Sequence, residues 1–335
     1  MAGGLTFTAV DSTKLATAEI YGKALCELGE QHPEIVALTA DLGKSTKIGL
    51  FGEKFPDRFF NVGIAEQNMI SMAAGMAKAG LVPFVSAFSV FTSLRVADQV
   101  HSNICYQNAN VKIIGTHGGT SFGQAGSTHH AIVDFALERA FPNMTLVCPA
   151  DGMETVNAVR AAYETPGPFY IRINRGFDRV VYDNTEYGFE LGKAQEMRKG
   201  TDVTLIACGS CVFTAMQAAD FLKNADGLSV RVLNMHTLKP FDVEAVQKAV
   251  MDTRRIITIE DHSVIGGLGS AVAEVMAEFG KGCAFKRLGW QGFSTIGLHE
   301  DLMNIAGIDS NGIIETVREV MNMDFEADDD WSDEV

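Results

Sequence analysis

Short apolar runs rich in β-branched residues alternate along this chain with longer stretches whose apolar positions recur every three or four residues. The runs at 35–39, 59–62, 82–86, 111–115, 144–147 and 169–173 read as strands, and the stretches 69–78 and 153–163 between them as helices. Such strands, separated by helix-length segments, predict βαβ units around a mainly parallel sheet. The rhythm lapses after Arg175, where residues 176–198 are polar and contain Tyr182-Asp183-Asn184-Thr185-Glu186. It then resumes, with strands predicted at 203–207, 229–234 and 256–260 and helices at 212–222, 243–253 and 268–279. The expected fold is α/β, two domains (1–185 and 186–323), each a mainly parallel sheet flanked by helices. Residues 324–335 form a charge run with no core to bury and read as an acidic, disordered tail.

Composition narrows the function more than the fold. Hydrophobic residues make up 47% and charged residues 21% of 335, an ordinary globular balance. Lys plus Arg minus Asp plus Glu is 27 − 42 = −15, of which the last twelve residues contribute seven acids and no base. That balance argues against nucleic acid and anionic membranes as partners, because both select a basic footprint. The N-terminus lacks a basic segment followed by an apolar one, and no apolar run approaches the ~18 residues of a membrane span. A soluble, cytoplasmic protein is expected. The six cysteines lie mostly within apolar runs, as buried free thiols do. Cys208-Gly-Ser-Cys211 has redox spacing but follows a strand-like run, and it reads as structural.

Three glycine-bearing segments invite a phosphate reading. Gly43-Lys44-Ser45 resembles the end of a P-loop, but Leu38 occupies the position of that motif's first glycine. Gly267-Leu268-Gly269 follows a strand and opens a helix, yet Val272 stands where the dinucleotide fingerprint needs glycine, so a plain strand-to-helix turn is expected. The loop 115–130 begins at the C-terminal end of a predicted strand, where open α/β sheets place ligands, and it carries His117, His129 and His130 of the eight histidines. Three histidines in one glycine-rich loop point to a site that moves protons or grips hydroxyls rather than to isolated structural donors. A zinc site there lacks a Cys or acid at ligand spacing before Asp134, and no metal ligands are assigned to this chain. Glu66 opens an apolar helix, where a carboxylate complements the helix dipole; alternatively it is a desolvated carboxyl that shares a proton with a ligand base.

Taken together, Gly63-Ile-Ala-Glu66-Gln67-Asn68, Ala40-Asp41-Leu42 with Ser45, Phe88-Ser-Val-Phe91, and Thr116-His117 through Thr128-His129 resemble the pyrimidine-binding domain of the transketolase family. Thr237-Leu238-Lys239-Pro240 and Gly266-Gly267-Leu268-Gly269-Ser270 resemble that family's C-terminal domain, so the likeness spans roughly residues 12–322. It implies a cofactor, thiamine diphosphate, bound between two domains. The family's Gly-Asp-Gly motif for the diphosphate and its Mg2+ does not occur here, which implies the C-terminal subunit of a split transketolase. A separate N-terminal subunit would then hold the diphosphate and Mg2+, in a heterotetramer with two copies of each chain.

The resemblance also distributes roles. Glu66, His117 and His129 become catalytic, with Glu66 donating a proton to N1′ of the aminopyrimidine. Asp41, Glu66, Phe88 and Phe91 become cofactor-binding, Phe91 by stacking on the pyrimidine ring. Ser45, His117, His129 and Arg175 become substrate-binding, with Arg175 on the substrate's phosphate. The family carries no histidine at the position of His130, whose role stays open. Ala18 stands where an arginine is usual, Ala125 where an aspartate is usual and Leu94 where a tyrosine is usual, so the sugar-reading groups depart from the pattern. The implied activity is transfer of a two-carbon ketol unit from a ketose or its phosphate to an aldose or its phosphate. The alternatives are a pyruvate condensation like that of 1-deoxyxylulose-5-phosphate synthase, and a non-catalytic partner subunit.

Overall fold

The structure, a computed structural model, describes residues 9–176 and 178–323. The acidic stretch 324–335 lies outside the described residues. All nine predicted strands form: β1 (Ile35–Thr39), β2 (Phe59–Asn61), β3 (Val82–Phe88), β4 (Lys112–Thr116), β5 (Thr145–Val147), β6 (Phe169–Arg172), β8 (Val203–Ala207), β9 (Val230–Asn234) and β11 (Arg255–Ser263). Three more were not predicted: β7 (Gln195–Arg198), β10 (Thr237–Lys239) and β12 (Ala284–Trp290). Each of the three lies at the edge of a sheet, where one strand neighbour is missing and the apolar signal weakens. β12 carries Lys286 and Arg287 in its middle, and β7 falls inside the polar stretch that marks the lapse.

The first sheet runs β10-β5-β6-β4-β3-β1-β2 and the second β12-β11-β8-β9-β7. Both are parallel except at one edge, where β10 pairs antiparallel with β5 and β7 antiparallel with β9. The central strands are apolar and buried along their whole length because helices cover both faces. On one face, the helices Thr17–Gln31 and Gly152–Glu164 of the first sheet and Cys211–Ala225 and Ser310–Met321 of the second share a single apolar cluster. On the other, Glu66–Lys78, Val243–Thr253 and Leu268–Phe279 share a second. The two units are thus welded, and β10 carries the weld further by adding a strand from the second half of the chain to the first sheet.

The strand order makes one edge special. From β1 the chain passes outward to β2 and then back across β1 to β3, so a topological switch point falls between the C-terminal ends of β1 and β3. Open α/β sheets bind ligands in the crevice that forms there. In the second sheet, the carboxylate of Glu260 on β11 accepts from the backbone N–H of Leu268 (2.7 Å) and Gly269 (2.8 Å), satisfying the start of the helix Leu268–Phe279. A Cβ at Gly267 would collide with that carboxylate, which explains the glycine without any phosphate. Burial pushes Glu260 up to about 7, against the pull of the two N–H donors.

Candidate functional site

Five adjacent strands, β6-β4-β3-β1-β2, each deliver a candidate residue just past their C-terminal ends. Asp41 follows β1, Glu66 follows β2, Phe88 ends β3 with Phe91 on the short helix Ser89–Ser93, His117 follows β4, and Arg175 follows β6. Residues far apart in sequence therefore converge on the switch-point crevice.

Glu66 is the first residue of the helix Glu66–Lys78 and is 3% exposed. Gly63, in the left-handed region at φ +73°, turns the chain from β2 into that helix, and its N–H donates to Asn61 Oδ1 (3.1 Å). Dipole complementarity explains an acid at this position but not its burial. Its partner is Arg95, whose Nη1 donates to Glu66 Oε1 at 2.7 Å from a side chain that is 44% exposed. The same guanidinium lies over the Phe91 ring, with Cζ 3.9 Å from the centroid. A cavity of about 490 Å3 opens beside the pair, lined by Ile64, Ala65, Glu66, Gln67, Asn68 and Arg95.

Next to Phe91 the rings and imidazoles form one cluster. Phe88 lies 4.1 Å from His117 and 5.7 Å from Phe91, and His129 meets Phe91 edge-on at 5.6 Å, all between ring centroids. Phe122 fills the middle, 4.7 Å from His117, 5.0 Å from Phe88 and 5.6 Å from His129, with the exposed Arg175 guanidinium 5.1 Å above it. Asp41 is exposed and adopts φ +59°; its N–H donates to Asn61 Oδ1 (3.0 Å), the oxygen that also accepts from Gly63. Ser45 is exposed on the short helix Gly43–Thr46 that follows. The structure thus brings Phe88, Phe91, His117 and His129 into direct contact, joins Glu66 to them through Arg95 and Arg175 through Phe122, and leaves Asp41 and Ser45 at the rim. Arg95, Phe122 and Asn61 were not foreseen. A lone arginine between Leu94 and Val96 was the only sequence signal for the first.

His117 sits in the left-handed region at φ +58°, a conformation held only where surroundings enforce it. Thr116 Oγ1 lies 2.9 Å from His117 Nδ1 and 3.4 Å from the Ala87 carbonyl, so the ring is tethered on its Nδ1 side. Burial, reinforced by the nearby Arg175 charge, pushes the imidazole down to about 3. The sign follows: the unfolded chain binds this proton near pH 6.5 and the folded chain does not, so the contribution to stability is present above that pH and is lost on acidification. A proton NMR titration of the His117 ring should show no inflection from pH 8 to pH 5. An inflection near 6.5 would show the ring to be solvated.

His130, whose role the sequence left open, is a structural link. It is 3% exposed; its Nε2 donates to the Gly123 carbonyl (3.0 Å), so Nδ1 accepts from Ser294 Oγ (2.5 Å). Ser127 donates to the carbonyl of the same Ser294. The other end of the loop is fixed by Asp261, past the middle of β11. Its carboxylate accepts from Thr120 N–H (2.7 Å), Thr120 Oγ1 (3.0 Å) and Trp290 Nε1 (3.0 Å), while its carbonyl accepts from Arg172 Nη2 (2.6 Å). Gly119, at φ +55°, has no room for a Cβ against Asp261 and Arg172. The second half of the chain therefore holds the histidine loop in place.

The positions that depart from the family pattern are also placed. Ala18 is 1% exposed, packed in the core from the helix Thr17–Gln31, and the preceding Thr17 N–H donates to the Gly176 carbonyl (3.0 Å). Leu94 is exposed next to Arg95, and Ala125 lies in the turn Gly123–Ala125. Among the described residues, no three His, Cys, Asp or Glu side chains converge as a metal site, and no helix is long and apolar enough to cross a membrane.

The family model of the transketolase pyrimidine-binding domain matches residues 13–177, and that of the transketolase C-terminal domain matches 192–313. The putative transketolase C-terminal section of Methanocaldococcus jannaschii is 41% identical over 303 residues, 90% of this chain and 95% of that protein. One of the subunits of the apulose-4-phosphate transketolase of Phocaeicola vulgatus is 40% identical over 264 residues, 79% of this chain and 84% of that one. A 6-deoxy-6-sulfo-D-fructose transketolase subunit from a Clostridium species is 39% identical over 306 residues, 90% of this chain and 93% of that one. Among solved structures, one described as a split-gene transketolase in an inactive beta4 tetramer superposes with a TM-score of 0.83 at 41% identity, covering 92% of this chain and 98% of its own. The transketolase of Campylobacter jejuni shares the fold, with a TM-score of 0.76 at 23% identity, this chain covering 46% of it. With both domains matched in order, and relatives of its own length near 40% identity, this chain belongs to the transketolase family.

Proposed function

We propose that this chain is the C-terminal subunit of a split, cytoplasmic transketolase and contributes the aminopyrimidine half of a thiamine-diphosphate site. The observation that carries the reading is the buried Glu66 carboxylate, which borders an open cavity and is linked through Arg95 to Phe91, with His129 against Phe91 and His117 against Phe88. These residues fit the cofactor: an acid for a ring nitrogen with open space beside it, and an aromatic face for the ring. When bound, thiamine diphosphate supplies the electron sink for breaking a ketose carbon–carbon bond.

This chain's own residues then have separable tasks. Glu66 holds and moves a proton at the pyrimidine nitrogen, from a position shielded from water. Phe91 and Phe88 would orient the ring, and Asp41, at the rim after β1, would border it. His117, tethered at Nδ1, presents Nε2 for a hydrogen bond with a substrate hydroxyl, and His129 stands beside it in the same ring cluster. Arg175 and Ser45 hold an anionic substrate terminus; with Ala18 sealed in the core, Arg175 carries that charge without the second arginine. The diphosphate and Mg2+ are assigned to a separate N-terminal subunit, in a heterotetramer, and the domain boundary to residue 185. The substrates are a ketose and an aldose, or their phosphates, a class that includes those for which the relatives are named, apulose 4-phosphate and a sulfo-sugar.

The test is thiamine-diphosphate-dependent ketol transfer by this chain mixed with the neighbouring gene product that bears the Gly-Asp-Gly motif, with each chain alone as control. Activity confined to the mixture supports the reading. A mixture that fails to bind thiamine diphosphate with Mg2+ overturns it, and pyruvate decarboxylation in place of ketol transfer would favour the 1-deoxyxylulose-5-phosphate-synthase chemistry.

A further inference from the structure

Arg95 makes two contacts at once: Nη1 donates to Glu66 Oε1, and the flat guanidinium lies on the Phe91 ring. A planar, nitrogen-bearing ring seated in this site would seek the same two partners, the carboxylate as acceptor and the aromatic face as platform. Both occupants cannot hold that oxygen and that face together. We propose that Arg95 is an internal stand-in for the cofactor's aminopyrimidine, a self-blocking contact that must swing out to admit it. The inference rests on the reading of Glu66 and Phe91 given above and adds a residue that reading does not use.

The surroundings suit a side chain that moves. Arg95 is 44% exposed, against 3% for the Glu66 it caps, so the cation reaches water without disturbing the core. Arg95 itself lines the cavity beside Glu66, so turning its guanidinium outward to water would clear that cavity. The Arg95 backbone has its own contact, its carbonyl accepting from Gln67 Nε2 (3.2 Å), which does not depend on where the guanidinium points. Until a ligand arrives, the contact keeps the buried Glu66 carboxylate from standing unpaired, which removes the penalty of leaving it open. By population arithmetic, a contact closed about nine-tenths of the time raises the apparent Kd about ten-fold, so its removal should lower the Kd by that factor.

The experiment uses the full chain assembled with its Gly-Asp-Gly-bearing subunit, and calorimetric titration with thiamine diphosphate in Mg2+. Arg95→Ala and Arg95→Met should each bind about ten-fold tighter than wild type. Unchanged or weaker binding overturns the proposal and makes Arg95 a positioning residue for Glu66. A second readout needs no turnover: in wild type the Arg95 15N Nε resonance should move to the free side-chain position when thiamine diphosphate is added. Binding without that movement sinks the stand-in alone, whereas no binding by wild type or variants sinks the underlying reading of the site as well.

Discussion

A Glu66→Gln chain, assembled with its diphosphate-binding subunit, is expected to lose ketol transfer by a factor on the order of 10²–10⁴ while folding and assembling normally. Glutamine keeps the length of the side chain, and its carbonyl oxygen still accepts from Arg95 Nη1, so the local contact survives. What it loses is the ability to hand over and recover a proton. The competing explanation, an acid that merely complements the start of a helix, is worth about 0.3–1 kcal/mol of stability and nothing in turnover. The two readings therefore separate cleanly in steady-state kcat measured beside thermal melting. Full activity in the variant would make this chain a non-catalytic partner.

Asp261→Ala is the second large effect, and it acts on stability first. The carboxylate is 5% exposed and accepts from Thr120 N–H, Thr120 Oγ1 and Trp290 Nε1; the residues on both sides, Thr120 and Trp290, are themselves buried. Truncation strands those donors beside the buried Arg172, and each unsatisfied donor costs roughly 1–3 kcal/mol. The sum sits at the level of a broken buried ion pair, about 3–5 kcal/mol. At about 2–4 °C per kcal/mol for a chain of this class, the thermal midpoint should fall by roughly ten degrees. Activity should fall further than stability explains, because Thr120 anchors the loop that carries His117 and His129. Asp261→Asn, which keeps an acceptor toward Thr120, should recover most of both. A shift below about 1 kcal/mol would mean that the loop is held elsewhere, as surface substitutions away from such contacts behave.

His130 shows how a motif can locate a loop and still leave the task of one member open. Its sequence neighbours His117 and His129 face the ring cluster, whereas His130 turns inward to Ser294, 164 positions away. Composition does not separate adjacent histidines in a glycine-rich loop. His117 and His129 bond the hydroxyls of their neighbours Thr116 and Thr128, whereas His130 reaches Ser294 in the second half of the chain.

The sequence by itself determined the alternation of buried strands and covering helices, because a strand covered on both faces must be apolar along its length, and that is a local property. It also determined the chemistry on offer: an acid after β2, aromatics after β3, histidines after β4 and an arginine after β6. Tertiary structure alone decided which of these meet. Arg95 reaches Glu66 across 29 positions, Asp261 reaches Thr120 across 141, and β10 crosses from the second half of the chain to close the first sheet. Such pairings depend on how two sheets dock and on which buried polar group lacks a partner. Periodicity carries no record of either, since it registers only whether a position faces the core, and not what stands opposite.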